Sequence, residues 1–223
     1  MSMEALSVGP ISRTEAVRLV VAKHYLHRPP PLTHAFGLYR EGEAVGVITF
    51  GTPASRELMK GACPSAPEKV IELNRLWVSD DCPRNSESYF IARAFAYLPP
   101  LIVVSYADTA QGHAGIVYRA SGFHYAGWTD MDRNTPRFDY VPADRTESTL
   151  FGDVVTKPHS REAFRSGFAE KRRREPKVRY WRASGDRRER FKLEQLCAWP
   201  TLDWKTQPPP LAGSRETPQG GKP

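Results

Sequence analysis

This chain has too few cysteines to staple itself together. Cys63, Cys82 and Cys197 are the only three in 223 residues. Their number is odd and they lack metal-ligand spacing, which argues against a disulfide framework and for free thiols in a reducing cytoplasm. No apolar run approaches the roughly 20 residues needed to span a bilayer. No basic stretch leads into an apolar segment as a secretory signal would. Internal repeats are also missing. These absences predict a soluble, intracellular protein made of one domain, or of one domain with an appendage. A hydrophobic content of 40% is ordinary and suffices for a single packed core.

What the chain does have is segregated charge. Its net charge is +7. Residues 157–197 hold 14 Lys and Arg against 6 Asp and Glu, a surplus of eight, so the remainder sums to −1. A nearly neutral body with a basic C-terminal segment implies a polyanionic partner. Such a run also serves as a solvated surface, but Tyr180, Trp181 and Phe191 among the arginines favour nucleic acid.

Periodicity supplies the elements. Apolar Ala16, Val17, Val20 and Val21 predict one helical face over Thr14 to Tyr25, capped by Thr14 and stopped by Pro29 to Pro31. Phe36–Tyr39 and Ala44–Phe50 read as a hairpin. Residues 51–67 read as a loop and Val70–Val78 as a strand. A helix follows from Asn85, a good N-cap, to Pro99-Pro100. A buried strand over 101–106, a helix over 112–121 and a strand over 123–128 complete the body. Residues 130–150 look irregular. The basic segment predicts a short helix at 160–172 and a hairpin pairing Lys177–Trp181 with Glu189–Leu193. The tail over 207–223 lacks apolar periodicity and reads as disordered. This order predicts a mixed α/β sheet flanked by helices, with 1–150 as catalytic core and 151–206 as a basic extension packed on or next to it.

Several residues have the chemistry of a site. Asp108 lies just past a buried strand, where ligands bind in open α/β sheets. It can take a proton from an amine, bind a metal, or cap the helix that follows. Tyr118 sits on that helix, and its phenol can donate a proton to a departing thiolate; a core tyrosine with a satisfied hydroxyl is the plainer reading. His113 opens the same helix as a base, a ligand or a cap. His24-Tyr25 ends the first helix. The turn into the helix at Asn85 can bind an anion at the helix N-terminus, with Arg84, Ser86 and Ser88 as further donors. It lacks the glycines that let backbone approach a pyrophosphate closely. His24, His27 and His34 do not have metal-binding spacing, although a His/carboxylate/Tyr site from distant segments suits iron.

Val117-Tyr118-Arg-Ala-Ser-Gly122-Phe123, with the element order, resembles the GNAT acyltransferase superfamily over roughly Thr14 to Trp128. A narrower resemblance is to the phage Mu Mom family of DNA adenine modification proteins. Its carriers are Glu72-Leu-Asn-Arg-Leu-Trp-Val78, Asn85-Ser-Glu-Ser88, Ser105-Tyr-Ala-Asp108, Gly112-His-x-Gly-x-x-Tyr118, His24-Tyr25 and the basic Lys177-Val-Arg-Tyr-Trp181. The resemblance implies a GNAT-like fold and conversion of the adenine N6-amino group in DNA to N6-(carbamoylmethyl)adenine, a modification that shields phage DNA from host restriction. It implies an acetyl-CoA-like donor, with iron also proposed for the family, and a protein at work in the cytoplasm of a bacterial host.

Residue by residue, the implied site consists of His24, Tyr25, Asp108 and Tyr118 as catalytic groups. Val78, Arg84, Asn85, Ser86 and Ser88 would bind the cofactor. Arg172, Arg173, Arg174, Lys177, Arg179, Tyr180 and Arg182 would hold double-stranded DNA by its phosphates. The adenine is expected to leave the stack and to rest on Tyr25, Tyr106 or Trp128. Two other readings stand beside this one: an ordinary N-acetyltransferase acting on a protein or small amine, and a non-catalytic DNA-binding protein. The sequence is silent on the oligomeric state.

Overall fold

The computed structural model describes residues 6–130, 135, 137–142 and 161–209. The predicted mixed α/β sheet flanked by helices is present. It begins with a strand that the periodicity did not announce, β1 (Leu6–Pro10). Helix α1 (Arg13–Lys23) follows, and its N-cap is Ser12 rather than Thr14: the Ser12 hydroxyl accepts from the Glu15 N–H at 3.2 Å. β2 (His34–Arg40) and β3 (Glu43–Gly51) form the expected hairpin. Glu41 and Gly42 both have positive φ, at 52° and 85°, and such two-residue turns match the twist of paired strands.

Residues 51–67 are not all loop. Helix α2 (Arg56–Ala62) occupies the middle, with the Ser55 hydroxyl accepting from the Leu58 N–H at 3.1 Å. Its seven residues are too few to show a period between Gly- and Pro-rich flanks. β4 (Val70–Val78) and α3 (Ser86–Phe95) follow as expected. Asn85 stands at the N-cap position of α3 but is left-handed, with φ 70°, and its side chain caps nothing. After β5 (Ile102–Asp108), the helix expected over 112–121 shrinks to α4 (Ile116–Ala120) behind a 3-10 turn at Thr109–Gln111. Gly112 and Gly115, with φ 71° and 77°, break it there.

β6 (His124–Trp128) is as predicted. The stretch expected to be irregular contains β7 (Phe138–Pro142), which pairs antiparallel with β8 (Ala169–Arg173). The helix expected over 160–172 is therefore cut to α5 (Arg161–Arg165). β9 (Lys177–Ala183) is a strand, but its expected hairpin partner is helix α6 (Arg187–Leu196). Asp186 and Glu189 form a reciprocal capping box at its start, a local signal that outweighs the turn residues before it.

The sheet order is β1-β2-β3-β4-β5-β9-β6, with β4–β5 the parallel pair. β9 pairs with β5 over its whole length and with β6 on its other edge. Lys177–Ala183 thus enters the core sheet instead of lying on or next to it. Alternation along β5 sends Val103 and Ala107 to the face covered by α3, and Ile102 and Val104 to the face covered by α2 and α6. α1 lies over Val47. At the tail, the Tyr125 hydroxyl donates to the Gln207 carbonyl at 2.9 Å, so Gln207 is held against the core. Residues 210–223 lie outside the described residues, as does the expected boundary at 150/151.

Candidate active site

The site begins with two strands that part. β4 and β5 are paired only from Val70↔Ile102 to Leu73↔Ser105, although both continue beyond. On its other edge β4 carries a bulge: Thr49 faces Arg75 while Phe50 faces Leu73, leaving Asn74 without an opposite. A bulge bends its strand and re-aims the backbone. Asn74 is held in place by its own side chain, which donates to the Pro31 carbonyl at 2.7 Å and accepts from the Thr49 hydroxyl at 2.6 Å. Between the diverging strands opens a cleft of about 390 Å³, walled by Glu72–Leu76, Tyr106–Asp108, Gly112–Tyr118, His24–Leu26 and Lys177.

All four expected catalytic residues line this cleft, from three separate segments. Asp108 ends β5. One carboxylate oxygen accepts from the Ala110 N–H at 3.1 Å and the other lies 3.2 Å from Lys177 Nζ. The carboxylate thus caps the 3-10 turn that follows and also lines the cleft. The Tyr25 hydroxyl also interacts with it, and burial together with the negative Asp108 pushes the phenol up to about 12. Tyr25 stacks on His24 at 4.4 Å and meets His113 edge-on at 5.8 Å. His24 is buried, and its Nδ1 accepts from the Leu26 N–H at 3.2 Å. Burial, with help from the Arg75 guanidinium, lowers its pKa to about 4. It is a neutral imidazole at neutral pH.

Tyr118 reaches the cleft from α4 and packs against Phe123 and Tyr180 at 5.4 and 5.3 Å. Burial raises its pKa, against the opposing effect of a hydrogen bond with the Ser105 hydroxyl. Ser105 is itself buried and donates to the Leu73 carbonyl at 3.0 Å. A protonated phenol is thus held where β4 and β5 separate. Gly115 makes this possible: a Cβ there would overlap the Tyr180 ring, whose hydroxyl donates to the Ala114 carbonyl at 2.6 Å.

Other expected residues fall elsewhere. Val78, Arg84, Asn85, Ser86 and Ser88 do not line the cleft. The Ser86 hydroxyl is buried and donates to the Pro83 carbonyl, and the Ser88 hydroxyl donates to the Asn85 carbonyl. Both hydroxyls expected to meet a cofactor are thus turned onto their own turn. The phosphate set also divides. Arg172 and Arg173 are exposed on β8, and Arg174 is exposed just after it, paired with Asp139. Lys177 belongs to the cleft. Tyr180 is fully buried in the core and cannot face DNA. Arg182 donates to the Ser121 carbonyl at 2.6 Å and lies over Phe95, and Arg179 lies over Trp199.

The cleft also recruits Arg75 and Glu72, to which the sequence assigned no role, and Tyr106, expected there only as a stacking surface. Arg75 projects from the bulged strand with its Nε buried and without a hydrogen-bond partner. Glu72 is held above the usual carboxylate range by burial, and burial raises Tyr106 as well. Period-two alternation in β4 and the motif context of Ser105 were the only signals available for these.

The cleft brings together the His, carboxylate and Tyr groups named for iron, but not as a gathered cluster of His and carboxylate ligands. Among the described residues, no three His, Cys, Asp or Glu side chains gather to hold a metal. The His24 Nδ1 is occupied by backbone, and the Asp108 carboxylate is shared by Lys177 and the Ala110 N–H. No described helix is long and apolar enough to cross a membrane.

The mixed α/β sheet thus opens a cleft at its parting parallel strands, lined by a carboxylate and a phenol that burial keeps protonated. The chain belongs to the Mom protein family, whose model matches residues 5–192. It is 33% identical over 129 residues to the methylcarbamoylase Mom of Escherichia phage Mu, covering 55% of this chain and 54% of that protein. The chain thus spans about half the length of that curated relative. Solved structures similar to it include a GNAT-family acetyltransferase from Bacillus cereus, at 12% identity and TM-score 0.43, covering 81% of this chain and 99% of that one. A GNAT-superfamily phosphinothricin acetyltransferase from Sinorhizobium meliloti, in complex with AcCoA, matches at 10% identity and TM-score 0.42, covering 81% and 89%.

Proposed function

We propose that this protein is a transferase that modifies DNA, converting the N6-amino group of adenine to N6-(carbamoylmethyl)adenine. The observation that carries the proposal is the meeting of Asp108, Tyr25, Tyr118 and His24 in one cleft of a Mom family chain. Replacing N6–H by an N6–C bond requires that one proton leave the amine and that the donor's leaving group be stabilised. The Asp108 carboxylate accepts a hydrogen bond from N6 and takes its proton, and Lys177 holds that carboxylate in position. Tyr118, kept protonated by burial, donates to the leaving group. His24 stays neutral and supports the Tyr25 ring, on which an extruded adenine stacks. Extrusion costs a few kcal/mol, and stacking on an aromatic ring returns about 1–3 kcal/mol.

An acyl-CoA-like donor suits the space between β4 and β5. The main chain of Asn74–Leu76, freed from β5, faces that space, and the Arg75 guanidinium adds an unused N–H. For the carbamoylmethyl product the donor would supply a methylene carbon that already bears the carboxamide: the N6–CH2 bond forms as the bond from that carbon to its leaving group breaks, Asp108 takes the N6 proton and Tyr118 gives one to the leaving group. The test is mass spectrometry of nucleosides from cells expressing the protein. The expected product is N6-(carbamoylmethyl)deoxyadenosine with wild type and none with Asp108→Asn. Unmodified adenine with wild type, or undiminished product with Asp108→Asn, overturns the assignment.

A further inference from the structure

A second cavity among the described residues is larger than the cleft. It is an open groove of about 710 Å³ at the opposite end of β9, between α6 and the β6 side of the sheet. Arg182, Arg187, Arg188 and Arg190 line it, with Glu194 as the one carboxylate and His124 and Phe191 as its rings. Phe191 is 64% exposed, a costly position for a phenylalanine with nothing to cover it.

Arg182 is tied to the fold by the Ser121 carbonyl and the Phe95 ring, but the α6 arginines are not held by ion pairs among the described residues. Arg187 and Arg188 occupy the first turn of α6, where cations oppose the helix dipole. Arg190 and Arg182 are close enough for their charges to repel, and this repulsion, after burial, lowers the Arg182 pKa. Four arginines gathered in a concavity against a single carboxylate are suited to a polyanion.

We propose that this groove seats the sugar-phosphate backbone of the DNA duplex flanking the adenine being modified, as a second contact site beyond the cleft. It rests on the DNA-modifying function proposed above. One strand links the two sites: Lys177 of β9 stands in the cleft, and Arg182 and Ala183 stand in the groove. Six strand steps of about 3.4 Å separate their ends by about 20 Å, roughly six base pairs of duplex. The Phe191 ring lies against sugars while the arginines neutralise phosphates, so the contact carries no sequence information.

The experiment measures binding to a fluorescent duplex by anisotropy across a salt series. It compares wild type, Arg187→Glu with Arg188→Glu, and a control, Arg56→Glu with Lys60→Glu. The control pair is exposed on α2 and changes net charge equally. Glutamates in the first turn of α6 favour its dipole, so the groove variant keeps its fold, which circular dichroism verifies. Each phosphate contact contributes about 0.9 to the slope of log affinity against log salt. The groove variant is therefore expected to lose about 2 in slope and to bind at least roughly tenfold more weakly at 0.1 M salt, while the control stays near wild type. Wild-type affinity and slope in the groove variant, or equal losses in both variants, overturn the groove. Failure of wild type to bind duplex at all overturns the DNA reading itself.

Discussion

Lys177 Nζ lies 3.2 Å from Asp108 Oδ2, joining the first residue of β9 to the last of β5. The pair is in register, since Asp108↔Lys177 is the last partner pair of the two strands. The ammonium is thus paired with a carboxylate that lines the cleft. Lys177→Met is expected to lower adenine modification about tenfold, equivalent to ~1.4 kcal/mol. The salt slope of duplex binding should stay within error of wild type. A fall in slope with undiminished modification would return Lys177 to the phosphate contacts.

Tyr118→Phe removes one oxygen and keeps the ring contacts to Phe123 and Tyr180. The melting temperature should change little, because Ser105 still has the Leu73 carbonyl. Loss of a general acid costs typically 10²–10⁴-fold in turnover. Single-turnover modification of a duplex oligonucleotide, followed by nucleoside mass spectrometry, measures it; turnover equal to wild type would reduce Tyr118 to a packing residue.

His24 should make stability depend on pH in a defined window. Its pKa falls from the ordinary 6.5 to about 4 on folding, so the unfolded chain binds the proton more readily. The contribution is complete above pH 6.5 and is lost as pH falls from 6.5 toward 4, amounting to about 3 kcal/mol at most. Urea unfolding at pH 7 and pH 4.5 should show the loss in wild type. His24→Gln should be less stable at pH 7 and lose less on acidification. Equal losses in both proteins would show that other groups govern the acid limb.

Gly115→Ala tests the link between core and site. φ at this position is 77°, and a Cβ would overlap the Tyr180 ring. Backbone strain and steric displacement together are expected to destabilise by about 2–4 kcal/mol. The α4 segment carrying Tyr118 must shift with it. Thermal melting reads the first effect and modification rate the second; a melting temperature unchanged from wild type would contradict the geometry.

Much of the body is visible in local pattern. Period-two stretches located β3, β4 and β6, and apolar spacing located α1 and α3. The ends of β5 and α1 pointed to Asp108 and His24-Tyr25, because a polar residue after a buried strand or helix has few places to go. Capping was harder: Ser12 and Thr14 are equally able, and only the observed Ser12–Glu15 bond separates them. The Asp186/Glu189 box was legible in principle, yet Ser-Gly-Asp before it looked like a hairpin turn.

The sequence by itself determined which segments are buried, where charge accumulates, and which side chains have acid–base chemistry. These depend on spacing and composition within a few residues. The tertiary structure alone decided that β9 enters the sheet between β5 and β6, burying Tyr180, bringing Lys177 to Asp108 and opening an arginine groove beside α6. The reason is physical: strand pairing joins residues about 70 apart through backbone hydrogen bonds that carry no side-chain signature. The Asp108 and Tyr118 positions were readable one at a time. Their meeting at the place where β4 parts from β5 required the sheet.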